Sequence, residues 1–84
     1  MVQKFIKYKI SSNEGCIVIL NEDELTHTIP SRMVTSFIRC GKLSSVVINI
    51  VGGGNHFTFN KMSDSDYQKV IKTYSKTITY SKEI

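Results

Sequence analysis

The sequence predicts a single α+β domain spanning residues 1–84, with an antiparallel sheet of four to five strands packed against two helices in the order ββ(β)αββα. Three observations carry this expectation. Short runs rich in Val, Ile, Thr, Phe and Tyr recur between clusters of Ser, Asn, Asp, Glu and Gly, the pattern of strands joined by turns. Two longer segments place apolar residues at helical spacing and carry start or stop residues. The chain of 84 residues suits one domain, which buries about 60–65% of its unfolded surface.

The elements follow in order. Residues 2–10 alternate, with Val2, Ile6, Tyr8 and Ile10 on one face and Gln3, Phe5, Lys7 and Lys9 on the other. Lys4 falls on the apolar face, where a long stem can carry its charge out to water. Ser11-Ser12-Asn13-Glu14-Gly15 is turn material. Cys16-Ile17-Val18-Ile19-Leu20 is apolar throughout and reads as a central strand. Asn21 to Glu24 turn the chain, and Leu25-Thr26-His27-Thr28-Ile29 alternates as an optional third strand. Pro30 and Ser31 then open a first helix, with Met33, Val34, Phe37, Ile38 and Cys40 on one side and Arg32 and Arg39 on the other. Gly41 ends it.

The second half repeats the rhythm of hairpin and helix without a sequence repeat. Val46 to Asn60 reads as two strands around Gly52-Gly53-Gly54-Asn55. A second helix begins at Ser63 or Asp64, where acidic residues in the first turn suit the positive end of the dipole. Its apolar stripe is Tyr67, Val70, Ile71, Tyr74 and Ile78. Thr77 to Tyr80 alternates, so a short strand is expected to follow the helix there.

Three consecutive glycines after a strand raise the question of phosphate binding. A P-loop requires G-x-x-x-x-G-K-[ST], and no lysine follows these glycines until Lys61. A dinucleotide loop requires a helix to start at the glycines, because the helix N-terminus supplies the binding groups. His56-Phe57-Thr58-Phe59 alternates like a strand instead. The loop is therefore expected to turn a hairpin, with Gly52, Gly53, Gly54, Asn55 and His56 as candidate contacts for a partner.

Composition excludes several classes. At 40% hydrophobic and 21% charged residues the chain suits a folded domain rather than a disordered one. No apolar run approaches the ~18 residues of a membrane span. The opening MVQKFIKYKI lacks the apolar core of a signal peptide, so a cytoplasmic location is expected, with no membrane partner. Cys16, His27, Cys40 and His56 are 11, 13 and 16 residues apart, which contains no metal-binding pair spacing. Both cysteines lie in apolar runs and read as reduced core residues. A Cys–His nucleophile pair has no local signature, and Glu22-Asp23-Glu24 reads as a solvated turn. No catalytic residue, cofactor or metal is expected.

Charge is the strongest functional lead. The net charge is +4 and the isoelectric point about 9.2. Acidic charge concentrates in residues 11–30, while the remainder is basic. On the second helix Lys69, Lys72 and Lys76 fall within about 60° of arc, where they can follow phosphates. Arg32 and Arg39 add guanidinium groups, and Phe5 beside Lys7 and Lys9 resembles a stacking residue in a basic strand. Against this, lysine outnumbers arginine nine to two and alanine is absent. That bias suits an AT-rich genome, such as that of a low-GC bacterium or its phage, and it weakens the electrostatic argument.

The expectation is thus a small non-catalytic binding protein, phage- or mobile-element-encoded, acting as an inhibitor or regulator by contact with a host or cognate protein. Binding of nucleic acid or a nucleotide through Lys69, Lys72, Lys76, Arg32, Arg39, Lys7 and Lys9 is the alternative. Self-association into a homo-oligomer stays open.

Overall fold

In the computed structural model, which describes residues 4–21, 25–41, 44–52 and 54–82 with side chains to residue 78, the first hairpin turns on two residues only. Glu14 and Gly15 have φ of 50° and 80°, the paired positive values of a tight hairpin turn whose twist matches its strands. Ser11, Ser12 and Asn13 therefore belong to β1 (Tyr8–Asn13) rather than to the turn. They pair with Val18, Ile17 and Cys16 of β2 (Cys16–Asn21). β3 (Thr26–Pro30) pairs antiparallel with the other side of β2, which makes β2 the central strand. Glu22, Asp23 and Glu24, read as a solvated turn, lie outside the described residues, as do Val2 and Gln3.

The first expected helix does not form. Pro30 leaves β3 and leads into a single 3-10 turn, Ser31–Met33, after which the chain extends as β4 (Val34–Cys40). The physical reason lies in one bulge. Val34 pairs with Ile50 and Ser36 with Asn49, so Thr35 is an extra residue in the ladder. That insertion puts Val34 and Phe37 on the same face three residues apart, which imitates helical spacing. The composition, Val-Thr-Ser-Phe-Ile, favours a strand.

β5 (Ser45–Ile50) and β6 (His56–Phe59) complete a second sheet of order β4-β5-β6. Among the described residues the architecture is thus six strands in two three-stranded antiparallel sheets with one helix. It replaces the single four- to five-stranded sheet with two helices expected from the pattern.

The helix, α1 (Asp64–Lys82), is entered through Ser63, whose Oγ accepts from the Asp66 amide at 3.1 Å, satisfying one of the orphan donors of the first turn. It continues through residues 77–80, so the strand expected there is absent. Among the described residues no helix is long and apolar enough to cross a membrane.

The two sheets and α1 share one core. Ile17, Ile19 and Ile29 from the first sheet meet Val46, Ile48 and Phe59 from the second, with Met62 and Val70 closing it. Each of these isoleucines is fully buried, worth about 1.5–3 kcal/mol apiece. Edge-to-face rings join the sheets: Tyr8 with Phe59 at 5.7 Å and His27 with Phe59 at 5.3 Å. Where the chain crosses between sheets, buried Ser31 hydrogen-bonds through its hydroxyl to Thr77 of α1. At the opposite corner Ile6 donates to the Lys61 carbonyl at 2.9 Å and bridges Met62.

Candidate functional site

A strand edge presents unpaired backbone groups, and proteins blunt such edges with lysine, proline, shortness or cover. Each sheet has two edges here. The β1 edge carries exposed Lys9, follows exposed Lys7, and is continued by the Ile6–Met62 bridge. β3 has five residues and ends in Pro30, and β6 has four. β4 has seven residues, no lysine, no proline and no acid. It pairs with β5 on one side; beyond the Val34 N–H, which donates to the Ser31 carbonyl, none of the described residues is hydrogen-bonded to its backbone on the other. Among the described residues the bulge at Thr35 is the blunting device within the strand itself.

Beside this edge runs α1. Among the described residues two ring contacts span the seam between them. The Phe37 ring meets Tyr74 edge-to-face at 5.1 Å, and the Arg39 guanidinium stands 5.0 Å from the centre of the Tyr67 ring. Phe37 and Arg39 are two apart on β4, whereas Tyr74 and Tyr67 are seven apart on α1, so the strand and helix run in opposite directions. All four residues are half-buried. Arg39 also donates from Nη2 to the Met62 carbonyl at 3.3 Å. Its Nη1 is buried with no hydrogen-bond partner among the described residues.

The outer face of the second sheet is chemically plain. Ile38 pairs with Val47 and Val47 with Thr58; Ser36 pairs with Asn49 and Asn49 with His56. Asn49 Nδ2 donates to Ser36 Oγ at 3.0 Å. These rows contain no Lys, Arg, Asp or Glu, in a chain of net charge +4. Ile38 is 52% exposed on this face, next to the open edge.

The basic candidates are dispersed over several elements. Lys69, Lys72 and Lys76 are exposed on α1 as the periodicity predicts, and Arg32 is exposed on the 3-10 turn. Lys76 lines a shallow cleft together with Ser12, Glu14, Gly15 and Thr77. Lys9 points out of the first sheet, away from the face that packs on Val70 of α1. Arg39 departs furthest from expectation. It lies on a strand rather than a helix, faces inward, and is engaged by Tyr67 and Met62.

The glycine loop turns a hairpin closed by its own hydrogen bonds. Ile50 donates to the Asn55 carbonyl at 3.2 Å, and Asn55 Nδ2 to the Gly52 carbonyl at 3.3 Å. His56 Nδ1 lies 3.2 Å from the Gly54 carbonyl. Gly52 and Gly54 have φ of 118° and 90°, while Gly53 lies outside the described residues. Strand β6 follows instead of a helix, so the phosphate reading loses the N-terminus it needs.

Cysteine placement also departs from expectation, since Cys40 is exposed and Cys16 half-buried. Alternation on β2 and β4 turns both out of the core. Among the described residues no three of His, Cys, Asp and Glu lie together as a metal site. Sequence reasoning treated Phe37, Tyr67 and Tyr74 as core and missed the seam. The β-branched and aromatic content of residues 34–38 was a signal for strand β4, though not for its contact with α1.

No protein-family model matches the chain, and no curated protein or solved structure is significantly similar to it.

Proposed function

We propose that the protein is a non-catalytic binding module that takes an extended segment of a partner protein along the open edge of β4, and regulates that partner by occupying it. The observation that supports this reading most is the edge itself: seven residues of strand with no lysine, proline or acid to blunt it. Strand addition draws affinity from main-chain hydrogen bonds and specificity from alternate side chains. The uncharged outer face with Ile38 exposed extends the contact, and the half-buried rings of the α1 seam border it.

The test compares three forms of the protein as bait in nuclease-treated lysate of its source cell. The wild type is expected to retain one partner protein. Ile38→Lys should lose it, because a strand docked beside β4 sets its outward side chains against that position. Gln at Lys69, Lys72 and Lys76 together should keep it, with a modest loss in association rate. Loss with the triple variant, together with retention on heparin at low salt, would instead support the anionic-ligand reading.

A further inference from the structure

We infer that the segment added to β4 carries a carboxylate across from Arg39 and an apolar residue two positions away, across from Phe37. This rests on the docking reading above and names the partner's chemistry. Arg39 faces the core side of β4, in register with Val46 and Phe59. Among the described residues its guanidinium makes one hydrogen bond, to the Met62 carbonyl, and lies over the Tyr67 ring. Nη1 is buried without a partner among the described residues. A buried charge is costly unless paired and hydrogen-bonded, and neither a carbonyl nor a ring face neutralises it. Arg39 as a whole is half-buried, so part of the side chain is open to solvent although Nη1 itself is covered.

Cross-strand neighbours on one face of a sheet bring their Cβ atoms within about 4.5–5.5 Å. A strand laid along the open edge therefore sets one side chain beside Arg39 on the same face. Guanidinium is matched in shape and charge by carboxylate. Side chains alternate along a strand, so the next residue on that face lies beside Phe37, whose ring packs on Tyr74. An apolar residue fits there. The residue between them projects outward beside exposed Ile38.

The probe is a displayed library of random linear peptides, selected on the folded full chain. Enriched peptides are expected to share an Asp or Glu two positions from an apolar residue. Changing that acid to its amide should weaken binding to the wild type about tenfold or more. On Arg39→Met, acid and amide forms should bind equally, and Arg39→Lys should restore part of the difference. Thermal melting of each variant checks that it is folded, and the amide comparison on the wild type stands without any variant. Peptides that compete at β4, and lose binding with Ile38→Lys, yet share no acid would overturn this inference and leave the docking reading standing. An acid preference that persists on Arg39→Met would also overturn it. Failure to select any peptide would sink both.

Discussion

The two sheets share a plan and differ at their margins. Each is a three-stranded antiparallel meander with strands in chain order, and each gives one face to the common core. The first sheet sets Lys9, Ser11, Asn13, Thr26 and Thr28 around half-buried Val18 and Leu20 on its outer face. Its edges are short, end in proline, or carry lysine. The second sheet has an outer face without formal charge and ends in the longest of the described strands, to whose other side no described residue adds a strand. An unblunted edge is a standing template for another strand. The lighter guarding of β4 is the feature on which the proposed docking rests.

The largest effects test what the sheets share. Ile19→Ala in the first and Ile48→Ala in the second each remove a fully buried side chain, and each should cost about 2–5 kcal/mol. Urea unfolding followed by circular dichroism and by tyrosine fluorescence should give one coincident transition for both variants. Separate transitions would break the picture of a single core. A smaller effect is expected at Gly15, where φ is 80° in the two-residue turn. Gly15→Ala should lower stability by about 1 kcal/mol or more. Gly52→Ala, at φ 118°, should cost about the same amount, and its Cβ would sit 2.9 Å from Asn55 Nδ2. A neutral result at Gly15 would mean that its turn relaxes into another form.

Surface changes should be smaller still. Ile38→Lys is expected to alter stability by no more than about 0.5 kcal/mol while abolishing docking. A large loss of stability would show that Ile38 supports the sheet rather than a partner. In native protein, a thiol reagent should modify exposed Cys40 faster than half-buried Cys16, read by mass spectrometry of the labelled peptides. Gln at Lys69, Lys72 and Lys76 should leave the melting temperature close to that of the wild type, because all three side chains are exposed.

Legibility followed the clarity of local signals. Alternation at Ile6, Tyr8 and Ile10 identified an inward face, and the unbroken apolar run of Cys16 to Leu20 identified the central strand β2. Ser63, the first-turn acids and the stripe from Tyr67 to Ile78 marked α1, with its lysines outward. Residues 34–40 were misread because a single bulge changed the spacing of Val34 and Phe37. Misreading that strand as a helix removed the second sheet's edge from view and placed Arg39 on an exposed helix face. The Thr77–Tyr80 alternation misled for a different reason. Thr77 turns inward to Ser31 within the helix, a tertiary contact that no local pattern reveals. The seam of Phe37, Arg39, Tyr67 and Tyr74 depends on two elements far apart in the chain, and so lay beyond any local reading.

Amide hydrogen exchange along β4, read residue by residue by NMR, tests the central claim most directly. In an open edge strand the amides bonded to β5 are protected, while those on the other side exchange freely. The free protein should therefore show alternating slow and fast exchange across residues 36–40. A docked peptide should slow the fast set and leave the lysine face of α1 unchanged. Uniform protection of β4 in the free protein, or peptide-induced slowing confined to α1, would contradict the account.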